Sequence, residues 1–177
     1  MVRRSVLLAV REAARVHLTQ AEREAILTRL AGTALDIWKG EASLPETWYP
    51  DQISLELVEA VHAELPPARF DGFVDTLVEV GFGRIRRFFL GFATPVQLAS
   101  RAPEFWRYDH TTGEMTTAET NDGIIVRILA HPYVRSEPCR HLMEEYIRHA
   151  VSLTRVKAEI ASRSRSSEEL RFLVRWS

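Results

Sequence analysis

Cysteine is nearly absent from this sequence. Cys139 is the only one in 177 residues, which excludes an intrachain disulfide and a multi-cysteine zinc site. A reducing, cytoplasmic setting is the simplest inference. Lysine is almost as scarce: Lys39 and Lys157 are the only two, so arginine carries most of the positive charge. The arginines are dispersed among Glu and Asp, and the net charge is −1. No basic stripe marks a nucleic-acid surface. No apolar run approaches the roughly 18 residues of a membrane span. The run from Val6 to Val10 is too short for a signal peptide, and Arg11 and Glu12 interrupt it. Phosphate-binding loops are missing as well. The sequence Gly81-Phe-Gly83-Arg84 lacks the third glycine of a dinucleotide fingerprint.

What remains is a chain able to bury a core, 46% hydrophobic and 27% charged. We read residues 1–177 as a single domain, helical over about 1–101 and sheet-plus-helix over about 102–177. Val6, Leu7, Val10, Ala14 and Leu18 form an apolar stripe at helical spacing. Thr19 and Glu22 fit a capping box, followed by helix to about Ala31 with Gly32 as a stop. The stretch ASLPETWYP reads as a loop, and Asp51 can cap a helix that ends before Pro66-Pro67. Further helices are expected over Phe70 to Gly81, Gly83 to Leu90 and Thr94 to Arg101.

Beyond Ala102 the texture changes. EFWRYD and EMTTAET read as strands around a DHTTGE turn, and Asn121-Asp122-Gly123 signals another turn. IIVRILAH alternates as a strand, and Ser136 and Pro138 open a helix. LTRVKAEIA alternates again, SRSRSSEE reads as a polar mobile loop, and ELRFLVRW as a closing strand. Segregated helices and strands predict an α+β fold: N-terminal helices, then a mainly antiparallel sheet with one helix packed on it.

The stretch HPYVRSEPCRHLMEEYIRHA concentrates the candidate chemistry. At about 100° per residue, Cys139, Leu142, Met143, Tyr146, Ile147 and Ala150 share one helix face, a core stripe. His141, Glu145 and His149 fall away from it. His141 and His149 stand about 12 Å apart along the axis, too far to share a zinc ion comfortably with Glu145. A solvated face is therefore expected rather than a metal site. His110 and Glu114 flank a turn and form a conceivable acid–base pair. No nucleophile motif accompanies them, so an enzyme is not expected. Arg84, Arg86 and Arg87 could meet an anionic partner or line the wet side of a helix. Trp38, Trp48 and Tyr49 are candidate interface anchors, with core positions the favoured alternative.

The segment from Asp122 to Trp176 resembles the closing strand–helix–strand–strand unit of the heme–nitric-oxide-binding (H-NOX) fold. That superfamily includes the four-vinyl-reductase-type sensor domains and certain vesicle-tethering subunits. Within it, ETWYP, FGRIRRFFLGFATPVQLASRAPEFW and LRFLVRW are most similar to an uncharacterised paralogous family abundant in myxobacteria. The resemblance implies an H-NOX-like fold with a sensor or scaffold role. It does not carry heme across. H-NOX proteins have a proximal histidine before the first strand of the sheet and a Tyr-x-Ser-x-Arg motif for the propionates. Phe88 to Trp106 contains no histidine, and Tyr133-Val-Arg135-Ser-Glu137 has Arg and Glu where the motif needs Ser and Arg. No cofactor or metal is expected. The function expected is a non-enzymatic regulatory or scaffold module in bacterial signalling that binds another protein. Its contact candidates are Trp38, Trp48, Tyr49, Arg84, Arg87, His141 and Glu145. The alternative is a sensor of a small apolar ligand, lined near Phe88, Phe89, Phe105 and Trp106.

Overall fold

The computed structural model describes residues 1–40 and 47–177, the side chains of residues 83–90 excepted. The chain divides into two compact units, Met1–Gly81 and Phe82–Ser177.

The first unit is helical. It contains α1 (Arg4–His17), α2 (Gln20–Leu27), α3 (Gly32–Lys39) and α4 (Asp51–Glu64). A short antiparallel ladder joins β1 (Val2–Arg3) to β2 (Trp48–Tyr49). The helix α5 (Pro67–Leu90) begins here and continues into the second unit. Helix α4 packs against α1, α2 and α3. Leu7, Val10, Ile26, Ile37, Leu57, Val58 and Val61 are all buried at these apolar stripes. Three expectations are corrected in this unit. Gly32 does not stop a helix: α2 ends at Leu27, and Gly32 opens α3 with φ +50°. Asp51 is the first residue of α4, and Pro50 holds the cap position. The two helices expected over Phe70 to Gly81 and Gly83 to Leu90 are one, α5, which runs unbroken from Pro67 to Leu90. The loop expected over ASLPETWYP lies partly outside the described residues.

The capping box forms as expected. The Thr19 hydroxyl accepts from the Glu22 amide at 3.3 Å, and Glu22 accepts from the Thr19 amide at 2.8 Å. Arg69, on α5, adds a guanidinium 2.5 Å from the same carboxylate and also donates to the His17 carbonyl. The Arg69 bond, followed by the two bonds from Thr19, holds the Glu22 carboxyl down at about 2. Its ordinary value is 4.5. A group depressed on folding stabilises above its unfolded value, and that contribution disappears as pH falls through the folded one. Acid unfolding between about pH 4.5 and 2 should therefore flatten in Glu22→Gln. Parallel urea melts at stepped pH would measure the slope. An unchanged slope would contradict the assignment.

The second unit is a four-stranded antiparallel sheet with helices on one face. Its elements are α6 (Pro95–Asp109), β3 (Glu114–Thr120), β4 (Gly123–Leu129), a 3₁₀ turn (Pro132–Val134), α7 (Glu137–Ser152), β5 (Ala158–Arg165) and β6 (Glu169–Trp176). The strand order is β3-β4-β6-β5. Ile124, Val126, Ile128, Leu170, Phe172 and Val174 are buried and share the inner face. The α+β expectation holds, with the antiparallel sheet and a packed helix, α7.

Two local readings are corrected here. EFWRYD is helical, because α6 runs through Pro103 to Asp109. A proline inside a helix leaves the carbonyl four residues back without its donor. The Ala99 carbonyl instead accepts from the Thr117 hydroxyl of β3 at 2.9 Å. The sheet thus supplies the bond that the helix cannot make. Thr117→Val should lower stability by about 1–2 kcal/mol, read as a shift in urea midpoint at constant m. The second correction concerns SRSRSSEE. Ser162 to Arg165 belong to β5, paired with β6, with a register shift between Ile160 and Ser162. A polar edge strand with a bulge is the usual protection against edge-to-edge pairing, and it reads locally as a loop.

Candidate functional site: a buried histidine and aromatic cluster

Four rings converge in the second unit where α6, β4 and the 3₁₀ turn meet. His110 caps the C-terminus of α6, and its ring stacks on Trp106, one turn back, with centroids 4.2 Å apart. His131 leaves β4, caps the 3₁₀ turn and crosses both rings edge-on at 4.9 Å. Tyr133 closes the group, 4.4 Å from His131 and 5.7 Å from His110. All four are buried. Edge-to-face packing suits the ring quadrupoles.

The local backbone explains how the cluster is reached. His131 Nδ1 accepts the Tyr133 amide proton at 3.3 Å, so a neutral His131 carries its proton on Nε2. Ala130, just before it, takes φ +50°, and its amide donates to the Glu168 carbonyl at 2.7 Å. Gly113 has φ +66°. A Cβ there would fall 2.7 Å from the Cβ of His131 and 2.8 Å from the Leu129 carbonyl oxygen. Glycine at 113 is therefore what allows the turn before β3 to lie against His131.

The residues singled out in the sequence do not gather at this cluster, with the exception of His110, Trp106 and Tyr133 of the compared propionate motif. His110 is buried, whereas its proposed acid–base partner Glu114 is exposed. Trp106 is buried in the cluster rather than lining a described cavity, and Phe88 and Phe89 lie outside the described side chains. In the first unit, Trp38 is buried and donates to the Arg23 carbonyl at 3.3 Å. Tyr49 is buried on β2, while Trp48 is half-buried with the Arg3 guanidinium 5.6 Å over its ring. The side chains of Arg84 and Arg87 lie outside those described.

On α7 the core stripe is as read, with Cys139, Leu142, Met143, Ile147 and Ala150 buried and Tyr146 half-buried against Phe82. The opposite stripe is not the freely solvated face expected. His141, Glu145 and His149 are half-buried. Arg148 binds both Glu145 and Glu144, and Arg163 of β5 reaches Glu144 at 2.6 Å. The correction has a tertiary cause, since β5 brings a cation over this side of the helix.

Several solved H-NOX structures share this architecture. An Fe(II) unliganded point mutant of the H-NOX protein from K. algicida aligns over 99% of this chain and 96% of its own, at TM-score 0.70 and 12% identity. A triple mutant of an S. oneidensis H-NOX protein in the Fe(II) state aligns over 98% and 95%, at 0.69 and 11%. An oxygen-binding H-NOX domain related to soluble guanylate cyclases aligns over 100% and 95%, at 0.60 and 9%. The chain has the H-NOX fold. No protein-family model matches it, and no curated protein does.

The H-NOX fold implies heme, and the residues of the second unit do not fit one. Helix α6, which precedes the sheet, contains no histidine between Pro95 and Asp109. His110 follows as the C-cap of that helix, and its ring is stacked on Trp106 and crossed by His131 and Tyr133, which leaves no open face for a porphyrin. Glu137, where a propionate clamp needs a cation, is an exposed carboxylate in the first turn of α7. His131 and Gly113 were the functional candidates that sequence reasoning did not single out. Neither stands in a motif, and only the close approach of the two turns links them.

Proposed function

We propose that this chain is a non-heme sensor domain built on the H-NOX fold, responsive to a small apolar ligand and acting without catalysis. Similarity to H-NOX structures along the whole chain, combined with a histidine-free α6, supports the reading. The neighbours include Fe(II) proteins and an oxygen-binding domain, and this chain keeps their fold while filling the end of α6 with packed rings. Such a domain would work in the cytoplasm and pass its state to another protein in bacterial signalling. No described helix is long and apolar enough to cross a membrane. The finer kinship, with the uncharacterised paralogous family abundant in myxobacteria, belongs to this proposal and rests on the aromatic, glycine and proline positions of the middle segment.

Native mass spectrometry of freshly purified protein is the direct test. A retained apolar ligand of defined mass, with no Soret absorption, is the expected result. A stoichiometric Soret band would sink the non-heme reading. An empty protein that no member of an apolar-ligand library stabilises against heat would sink the sensor reading.

A further inference from the structure

The outer face of the sheet carries a pattern that the sensor reading does not use. The inner face is fixed by two contacts, Thr117 to α6 and Arg163 to Glu144 of α7. Both residues stand in register with Val126 and Phe172 of the buried set. The residues in between point outward, where a one-sided antiparallel sheet is ordinarily polar. Here apolar and arginine rows alternate instead. Leu129 is followed by Arg127 opposite Arg171, then by Ile125 opposite Leu173, then by Arg175. The three arginines are exposed, and Leu129, Ile125 and Leu173 are half-buried.

Like charges directly opposite each other weaken a sheet. Only part of this cost is offset: Glu169 accepts from Arg127 Nε at 2.6 Å, and its carboxyl is held below the ordinary range mainly by that bond. The Arg171 guanidinium makes no hydrogen bond with any described residue, although its charge also acts on Glu169, and Arg175 donates to the Asp122 carbonyl at 3.2 Å. We infer that this face docks an extended segment of a partner protein whose every second residue, the set facing the sheet, alternates between apolar and carboxylate. Carboxylates would neutralise the Arg127–Arg171 row while apolar side chains cover the Ile125–Leu173 row. A phosphodiester chain matches the first row but offers nothing apolar for the second.

The inference does not depend on what ligand, if any, the domain senses. Its test is a solution NMR titration of the full chain with two synthetic peptides of repeat Leu-Ser-Glu-Ser and Leu-Ser-Lys-Ser, in which every second residue faces the sheet. Saturable shifts on the outward positions of β4 and β6 are expected with the acidic peptide alone. Arg127→Gln with Arg171→Gln, and separately Ile125→Ser, should each weaken it about tenfold. Thermal melts would confirm that these variants remain folded, and Arg171→Gln alone, on an exposed side chain, provides the fallback. Equal response to the lysine peptide, shifts on other surfaces, or no shift would overturn the inference. So would concentration-dependent shifts of the same residues without peptide, which would assign the face to a second copy of this chain.

Discussion

Gly123→Ala is expected to cost about 3 kcal/mol, a fall in Tm of about 10 °C for a chain of this size. The position closes the β3–β4 hairpin. Asn121 and Asp122 form its tip, and neither adopts a positive φ; Gly123 does, at +142°. A methyl group there would sit 2.2 Å from the Val174 carbonyl oxygen and 3.1 Å from its carbon. Both atoms are backbone of the paired strand β6, so relief requires the ladder itself to shift. Alanine would thus be strained in its own dihedrals and would also press the two central strands apart. Gly81→Ala is the matched control. It lies within α5, nothing stands within 4 Å of the place a Cβ would take, and alanine there should stabilise by up to about 1 kcal/mol. Differential scanning calorimetry of the two variants would read opposite signs. A neutral Gly123→Ala would contradict the hairpin geometry.

Tyr133→Ala is expected to cost about 3–5 kcal/mol, the range for removing a large buried aromatic ring. Tyr133 is 2% exposed and is among the largest fully buried side chains. Its ring closes the His110–His131–Trp106 group, and its amide fixes the His131 tautomer. Losing the ring leaves a void beside two imidazoles that can draw in water. The variant should therefore unfold at lower urea and alter the emission of Trp106, which stacks on His110. Unchanged fluorescence together with a small midpoint shift would mean that the cluster is not a packed unit.

The elements that could be read from the sequence are those whose signals are local. The α1 stripe, the Thr19 box, the alternation of β4 and β6 and the core stripe of α7 each arise from residues within a few positions of one another. The misread elements are those whose stability comes from afar. The sequence EFWRYD looks like a strand because Pro103 should end a helix, yet Thr117 of β3 satisfies the carbonyl that Pro103 strands. Ser162 to Arg165 look like a loop because nothing apolar alternates there, yet β6 pairs with them along their length. The face of α7 around Glu144 and Glu145 looks solvated because the Arg163 that covers it comes from another element.

By itself the sequence determined the class of this protein. Its single cysteine excluded a multi-cysteine zinc site, its apolar periods set the helices and most strands, and the altered Tyr133–Glu137 motif, with no histidine between Phe88 and Trp106, argued against heme. The tertiary structure alone decided where the chemistry gathers. His110 and His131 share no local pattern, and they meet only because Gly113, lacking a side chain, lets one turn settle onto the other. The outer face likewise required register. Arginine opposite arginine and isoleucine opposite leucine are properties of two paired strands, and a one-residue slip would turn each set to the other side of the sheet.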